Sequence, residues 1–301
     1  MASKSSIQRL GTERRNRAAT SLDTMSALEI ARLINREDQK VARAVVKALP
    51  QIAKAIDVVT KQLGDGGRMI YVGAGTSGRI AALDASELPP TFNTDPRTVQ
   101  YVIAGGDSAL GMAAEYNEDS EKLGKRDIGK KKPTTKDVVV GIAASGRTPY
   151  TVAALRKARK KGAKTIAIAC NPGSPLEKAA DISIVVEVGP EVVSGSSRMK
   201  AGTAQKLVLN MLSTGAMARL GCVYGNLMVN VHLKNEKLVE RGVGILQEAV
   251  GVDRKTAERA LRGAGNQVPI AMIMLRHEIG HAAAIRRLRS AKGNVRKALS
   301  R

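Results

Sequence analysis

Aromatic side chains are nearly absent from this chain of 301 residues, which contains no Trp, one Phe and five Tyr. A buried core therefore has to be built from aliphatic side chains and Met, which a chain of this length can supply. Single-stranded nucleic acids are bound largely by aromatic side chains that stack on the bases. With so few aromatic residues, the sequence does not support an RNA-recognition motif.

Cysteine and long apolar runs are also scarce. The two cysteines, Cys170 and Cys222, lie in apolar surroundings and lack a CxxC spacing, which predicts reduced thiols that pack as small apolar side chains. No apolar run approaches the roughly 20 residues that span a bilayer. The N-terminus is polar rather than a charged-then-apolar leader. We therefore expect a cytoplasmic protein with no membrane contact.

Acidic residues number 27 against 49 Lys and Arg, which gives a net charge of +22. Much of the excess falls in three stretches, residues 122–136, 156–161 and 286–301. Such an excess leaves a nucleic-acid partner open as an alternative. The stretches are separated in sequence and contain almost no aromatic residues, so we favour a solvated surface that attracts anions, including a phosphorylated substrate.

The pattern of apolar residues indicates an α/β protein. From residue 68 onward, short and nearly continuous apolar runs alternate with helical ones, as in a parallel sheet that is covered on both faces. An apolar helix over residues 201–220 completes this layer. We therefore predict a three-layer αβα sandwich around a mainly parallel sheet. The predicted strands are residues 69–72, 99–103, 138–143, 165–169 and 182–188.

Helices are predicted before and after the sheet region. Ser26 and Glu29 have the spacing of a capping box, and Pro50 is expected to break the helical period that follows. The first 22 residues are polar and show no period of their own. Beyond Val231 the pattern indicates short helices, one of them capped at Asp253. One α/β domain with helical appendages is therefore expected.

Three glycine- and hydroxyl-rich segments follow predicted strands, where an open parallel sheet binds its ligands. The first, GAGTSGR at residues 73–79, opens a helix whose N-terminus can stabilise an anion. It also matches the dinucleotide fingerprint GxGxxG, but no acidic residue ends a second strand about twenty positions later. The hydroxyls of Thr76 and Ser77 are better suited to a terminal phosphate.

The other two segments repeat this plan. AASGRTPYT at residues 143–151 places Ser145 at the start of a helix. Hydroxyl and backbone amide groups at a helix start can hold phosphate without a metal. Each segment alone could be a capped turn, whereas the three together predict one anion site. The third, at residues 189–206, carries hydroxyl and basic side chains just before the long apolar helix: Ser194, Ser196, Ser197, Arg198, Lys200 and Thr203.

Longer strings run through these segments and beyond them. They include LGTERRN at Leu10, GAGTSGRIAALDASELPPT at Gly73, EYNEDS at residues 115–120, GIAASGRTPY at Gly141 and GPEVVSGSSRMKAGTAQK at Gly189. Together they resemble the N-acetylmuramic acid 6-phosphate etherases, a branch of the sugar-isomerase (SIS) proteins that bind phosphosugars. The C-terminal part is similar to the small ubiquitin-associated-like (UBA-like) helical unit that ends these etherases.

The resemblance implies a division of the chain into three parts. These are an N-terminal helical segment over residues 1–58, an SIS phosphosugar-binding domain over residues 59–225, and a C-terminal helical region with the UBA-like unit over residues 226–301. It also implies a homodimer that binds a phosphorylated amino sugar. The reaction of the family needs no metal or organic cofactor.

The implied reaction removes the lactyl ether of N-acetylmuramic acid 6-phosphate and gives N-acetylglucosamine 6-phosphate and D-lactate. Such a carbon–oxygen lyase must remove the C2 proton, protonate the C3 ether oxygen and add water. By the match of strings, Glu87 is the proton donor to the departing lactate and Glu118 its acid/base partner. The implied contacts to the sugar phosphate are Thr76, Ser77, Ser145, Ser194, Ser196 and Ser197.

Two other functions remain open at this point. A non-catalytic phosphosugar sensor would share the fold, but it has no use for two carboxylates beside the sugar, so the glutamate pair favours the enzyme. A basic nucleic-acid-associated protein is the second alternative, and we consider it the weaker one.

A zinc motif occurs outside the matching strings. His277, Glu278 and His281 spell HEIGH, a full HExxH match whose histidines are predicted to share one helical face. His232 is the only other histidine, and no acidic residue follows His281 to complete three ligands. We therefore interpret the match as a coincidence and predict no metal site.

Overall fold

The computed structural model describes residues 10–112 and 115–300, which fall into two compact units. The first unit takes the described residues of Met1–Ala85 and Arg97–Ser213, and the second those of Ser86–Pro96 and Thr214–Arg301. Within the described ranges, no helix has both the length and the apolar character needed to cross a membrane. The three-part division at residues 58 and 225 stays a prediction.

A five-stranded parallel sheet forms the centre of the first unit, and it confirms the predicted α/β class. Its spatial order is β2-β1-β3-β4-β5, with Met69 in register with Val99 on one side and with Val138 on the other. The strands predicted over residues 138–143 and 182–188 end earlier than expected, at Ile142 and Val185. The strands are β1 (Met69–Gly73), β2 (Val99–Ile103), β3 (Val138–Ile142), β4 (Lys164–Ala169) and β5 (Ile182–Val185).

From residue 10 onward, two α-helices precede the sheet, as predicted. Ser26 and Glu29 form the expected capping box at the start of α1, and Pro50 lies in the first turn of α2, where its missing N–H costs nothing. The polar stretch before them contains short 3₁₀ turns at Gly11–Glu13, Arg17–Ala19 and Leu22–Thr24. The bounds are Ala27–Val46 for α1 and Leu49–Gly64 for α2.

Helices also connect the strands. The aliphatic core predicted from composition is present, since Ile70, Val139 and Leu155 are fully buried in one cluster. The bounds are α3 (Gly75–Phe92), α4 (Glu121–Lys130), α5 (Pro149–Lys160), α6 (Pro175–Lys178) and α7 (Lys200–Leu220).

Two of these helices belong to both units. Helix α3 begins in the first unit, and its residues from Ser86 onward belong to the second. Helix α7 passes from the first unit to the second after Ser213.

A buried carboxylate ties α3 and α7 to the sheet. Asp84 of α3 accepts hydrogen bonds from the Tyr71 hydroxyl of β1 at 2.7 Å, from Asn210 Nδ2 at 2.8 Å and from Ser213 Oγ at 3.1 Å. Burial, together with the neighbouring Asp84 charge, raises the pKa of Tyr71. The phenol therefore stays protonated and donates to Asp84, which joins the middle of α3 to β1.

The second unit is helical, as the sequence predicted beyond Val231. Asp253 caps α9 through the backbone N–H of Thr256 at 3.0 Å, and apolar residues of several helices share one buried cluster. Its likeness to a UBA unit stays a prediction. The bounds are α8 (Glu236–Val250), α9 (Arg254–Gly263), α10 (Val268–His277), α11 (His281–Ser290) and α12 (Val295–Leu299).

Candidate functional site

A cavity of about 350 Å³ opens at the carboxyl ends of β1 and β3 in the first unit. The strand order reverses between these two neighbours, because β2 lies on one side of β1 and all later strands lie on the other. Open parallel sheets bind ligands at such a switch point. The lining residues that carry functional side chains are Thr12, Glu13, Thr76, Ser77, Arg79, Glu118, Ser145, Thr148 and Ser197.

The first predicted segment forms one wall of this cavity. Gly75 has a φ of +50° at the start of α3, a conformation that favours glycine. The buried Ser77 hydroxyl donates to Gln205 Oε1 of α7 at 3.0 Å, so its orientation is fixed by a second element. Thr76 and Ser77 both line the cavity beside the N-terminus of α3, which favours an anion there.

The second segment forms the opposite wall. Ser145 Oγ accepts the backbone N–H of Arg147 at 3.1 Å, and Gly146, with a φ of +66°, packs so tightly that a Cβ there would lie 2.3 Å from Ser174 Oγ. Thr148 precedes α5 but makes no capping hydrogen bond with its side chain. Ser145 and Thr148 therefore present hydroxyl groups to the cavity at the start of a second helix.

The third segment contributes less than the sequence predicted. Of its three predicted serines, Ser197 lines the cavity, whereas Ser194 and Ser196 lie in the same loop but are not among the lining residues. The Glu191 carboxylate accepts the backbone N–H groups of Lys200 and Ala201 at 3.0 Å and 2.9 Å. The amide groups that open α7 are therefore already paired, and the expectation that they would hold phosphate is wrong.

Lys200 is also unavailable to a ligand. Its side chain is 2 % exposed and forms an ion pair with Glu37 of α1 at 2.7 Å. Burial disfavours ionisation of Glu37, but hydrogen bonds from Lys200 and Lys40 outweigh it and lower the pKa of this carboxyl. The basic residue that the sequence placed in the third loop thus belongs to the core between α1 and α7.

Glu118 lies in the cavity between the first two segments. Its side chain is half-buried, and its backbone carbonyl accepts the N–H of Tyr150 in α5 at 3.0 Å. Its Oε1 lies so close to Gly75 that a Cβ added there would be 2.8 Å from it. A carboxylate is thus held at the edge of an anion-binding loop, where acid/base chemistry on a bound sugar phosphate is geometrically possible.

Family models and curated relatives agree on what this chain is similar to. The model of the SIS domain matches residues 130–215, and that of the glucokinase regulatory protein N-terminal SIS domain matches residues 51–159. An N-acetylmuramic acid 6-phosphate etherase 2 of Vibrio parahaemolyticus is 52 % identical over 99 % of both chains. The chain belongs to the N-acetylmuramic acid 6-phosphate etherase family.

Two further members of this family match nearly as well. The etherase of Aeromonas hydrophila is 53 % identical over 94 % of this chain and 95 % of its own, and that of Clostridium beijerinckii is 49 % identical over 97 % and 96 %. A solved phosphoheptose isomerase from Francisella tularensis matches 64 % of this chain and 100 % of its own length at 21 % identity, with a TM-score of 0.48. That last similarity says nothing about function.

Glu87, the other predicted catalytic residue of this etherase-family chain, is exposed on α3. It belongs to the second unit and is not among the residues that line the cavity. Its pairing with Glu118 stays a prediction. The cavity does contain a second carboxylate, Glu13, which sequence reasoning missed although its string LGTERRN was matched to the etherases.

The HEIGH motif does not form a zinc-protease helix in this etherase-family chain. Helix α10 ends at His277, Glu278 has a left-handed φ of 53°, and α11 begins only at His281. The predicted common helical face of the two histidines is therefore wrong. His277 Nε2 instead lies 3.1 Å from the carbonyl oxygen of Ala298. Among the described residues, no group of three His, Cys, Asp or Glu side chains could hold a metal ion.

Two of the three basic stretches come together in the fold, contrary to what their separation in sequence suggested. Helices α4 and α5 pack against each other, and a groove of about 800 Å³ beside them has Glu121 as its one acidic lining residue. Glu121 pairs with Lys125 at 2.8 Å and Arg159 with Asp181 at 3.1 Å. The basic lining residues are Lys125, Arg156, Lys157, Arg159, Lys160 and Lys178.

Proposed function

We propose that the protein cleaves the D-lactyl ether of N-acetylmuramic acid 6-phosphate and releases D-lactate and N-acetylglucosamine 6-phosphate. Membership of the etherase family supports this activity. The observation that carries it in the structure is the Glu118 carboxylate, which faces a cavity walled by two hydroxyl-bearing segments at helix starts. A phosphate bound by these segments would place the sugar within reach of an acid/base group.

The phosphate is proposed to bind between the N-termini of α3 and α5. Four of the predicted contact residues supply hydroxyls there: Thr76, Ser77, Ser145 and Ser197. Hydroxyl donors and helix N-termini together stabilise a phosphate dianion without a metal ion. Ser194 and Ser196 remain proposed contacts, since their loop also carries Ser197. The rest of the sugar then extends towards Glu118.

The reaction requires two acid/base groups. The C2 proton, acidified by the C1 aldehyde of the opened sugar, must be removed while the C3 ether oxygen takes up a proton and leaves as the lactate hydroxyl. Water then adds at C3 of the unsaturated aldehyde. In this proposal Glu118 is the acid/base group inside the cavity, and Glu87 is the proton donor to lactate. A homodimer and a cytoplasmic location are part of the same proposal.

A non-catalytic phosphosugar sensor is the second candidate. The match to the glucokinase regulatory protein N-terminal SIS domain over residues 51–159 favours it, because that segment contains both hydroxyl-bearing walls of the cavity. A sensor would bind the sugar phosphate as an etherase does. It would release no lactate, so turnover separates the two functions.

The experiment is incubation with N-acetylmuramic acid 6-phosphate in heavy-oxygen water, with D-lactate and sugar product followed by mass spectrometry. The etherase predicts lactate release, label in the sugar product, and a loss of turnover of at least about 100-fold in Glu118→Gln and Glu87→Gln. Glu248→Gln, an exposed glutamate of α8, is the matched control and should retain activity. If the protein bound N-acetylglucosamine 6-phosphate but released no lactate, the etherase activity would be contradicted and the sensor function supported.

A further inference from the structure

Glu13 is a cavity carboxylate to which the proposed reaction gives no role. It is half-buried and lines the same cavity as Glu118, Thr76 and Ser145. We propose that Glu13 binds a hydroxyl group of the sugar chain and thereby sets the specificity of the site. This role rests on the proposed function, since it assumes that the ligand is a sugar phosphate.

The backbone before Glu13 is anchored to the second wall of the cavity. Thr12 is 1 % exposed, and its hydroxyl accepts a hydrogen bond from Asn171 Nδ2 at 3.0 Å. The same amide nitrogen donates to the carbonyl oxygen of Ala144 at 3.0 Å, next to Ser145. Asn171, itself buried, follows β4, so Glu13 is placed by the sheet edge rather than by a free terminal segment.

The third segment holds Glu13 from another direction. Ser194 Oγ donates to the carbonyl oxygen of Glu13 at 3.4 Å. Gly195 has a φ of +78°, and a Cβ there would lie 3.1 Å from Glu13 Oε2. The carboxylate therefore lies against glycine backbone between two loops that face the cavity, as Glu118 lies against Gly75. Its position is set before a ligand arrives.

The Glu13 carboxylate can form hydrogen bonds with only some groups of the proposed substrate. An ionised carboxylate only accepts hydrogen bonds, and it repels the phosphate and the lactyl carboxylate of the proposed substrate. The groups left to it are the hydroxyl donors of the opened sugar chain. A carboxylate at this place would favour a sugar chain that bears hydroxyl groups. A deoxy chain offers it no donor, and a chain with a second anionic group repels it.

Binding of the product N-acetylglucosamine 6-phosphate, measured by calorimetry, tests this role directly. A hydrogen bond to a charged group contributes about 1.5–3 kcal/mol, so Glu13→Ala should weaken product binding roughly 10- to 100-fold. Inorganic phosphate lacks the hydroxyl chain and is repelled by the carboxylate, so it should bind to Glu13→Ala at least as tightly as to wild type. Asp23→Asn removes an exposed carboxylate from the same N-terminal stretch and should change neither affinity.

Two further readouts keep the proposal testable if Glu13→Ala disturbs the loops. Glu13→Gln keeps one acceptor oxygen and should recover part of the product affinity. In lactate release, both variants should raise KM more than they lower kcat. Equal product affinity in wild type and Glu13→Ala would overturn the proposal, and so would parallel loss of phosphate binding and thermal stability. Product binding is measurable even if the wild type releases no lactate, so the two proposals fail separately.

Discussion

The carboxylate of Glu118 lies directly against the backbone of Gly75. A Cβ at Gly75 would lie 2.8 Å from Glu118 Oε1, shorter than any normal carbon–oxygen contact. Gly75 also has a φ of +50° at the point where β1 gives way to α3. One residue therefore serves two purposes: it allows the turn into the helix, and it leaves room for the Glu118 carboxylate where it now lies.

Gly75→Ala should consequently reduce lactate release by about 100-fold or more, because displacing a catalytic group by about 1 Å can cost that much. The left-handed conformation adds roughly 1–2 kcal/mol of destabilisation for a residue with a Cβ. Steady-state kinetics at saturating substrate and a thermal melt measure the two effects. Gly66→Ala is the control, since Gly66 has a φ of +79° but nothing within 4 Å of the added Cβ.

The Gly66→Ala control separates the backbone strain of a left-handed residue from the displacement of the Glu118 carboxylate. Gly66→Ala should lose stability to a similar degree and keep its turnover number. If Gly75→Ala showed the same pattern, the position of the Glu118 carboxylate against Gly75 would not matter for turnover.

Ser77 should be the more sensitive of the serines in the first two segments, because its hydroxyl is buried and oriented by Gln205 at 3.0 Å. In the proposed complex the one O–H of Ser77 turns from Gln205 Oε1 to a phosphate oxygen, so Ser77→Ala removes a hydrogen bond to a charged group, worth about 1.5–3 kcal/mol. We expect KM for N-acetylmuramic acid 6-phosphate and the dissociation constant of inorganic phosphate to rise roughly 10- to 100-fold together. Ser290→Ala, at an exposed serine of α11, should change neither.

The sequence allowed the sheet and two walls of the cavity to be predicted, for a local reason. A run of apolar residues followed by glycine and hydroxyl residues gives strand, turn and helix start in one continuous segment, as at residues 69–79. The parallel order of the strands then brings the segments after β1 and β3 together, because these strands are neighbours. The prediction of each segment by itself needed no contact between distant parts of the chain.

The predictions that failed depend on such distant contacts. The backbone amides that open α7 were expected to hold phosphate, but they are paired with Glu191, and Lys200 is buried against Glu37, more than a hundred residues earlier in α1. Glu13 was overlooked because it is placed by Asn171, a residue of another loop, through Thr12. No periodicity or spacing encodes these pairings. For HEIGH, the local signal at Gly280 was available, since a glycine before His281 is a poor residue for a helix interior.

The buried pair of Lys200 and Glu37 should matter to stability rather than to catalysis. Both side chains are at most 3 % exposed, so removing one charge leaves the other unpaired in the core. Lys200→Met is expected to lower the free energy of unfolding by about 3–5 kcal/mol, measured by urea denaturation. Lys206→Met changes an exposed lysine of the same helix and should lower it by less than about 0.5 kcal/mol.

The same pair predicts a pH dependence. Because the pKa of Glu37 is lowered in the folded protein below its ordinary value of 4.5, its stabilising contribution is fully present above that value. The contribution is lost as the pH falls through the lowered folded pKa. The free energy of unfolding of wild type should therefore fall between pH 6 and pH 3 more steeply than that of Glu37→Gln. Equal slopes would show that this pair does not control acid stability.

The basic groove beside α4 and α5 should bind nucleic acid only weakly and in a salt-dependent manner. Its charges are exposed lysines and arginines, and it offers no aromatic side chain for base stacking. We expect dissociation constants of about 10⁻⁴–10⁻⁶ M for single-stranded DNA near physiological salt, as for purely electrostatic contacts.

The double variant Arg156→Glu/Lys160→Glu should abolish this binding. Its turnover number for lactate release should stay unchanged, because these residues lie in the last turns of α5 and the cavity lies at its start. Tight binding that persisted when salt was raised fourfold would contradict this view and favour a nucleic-acid function for the groove.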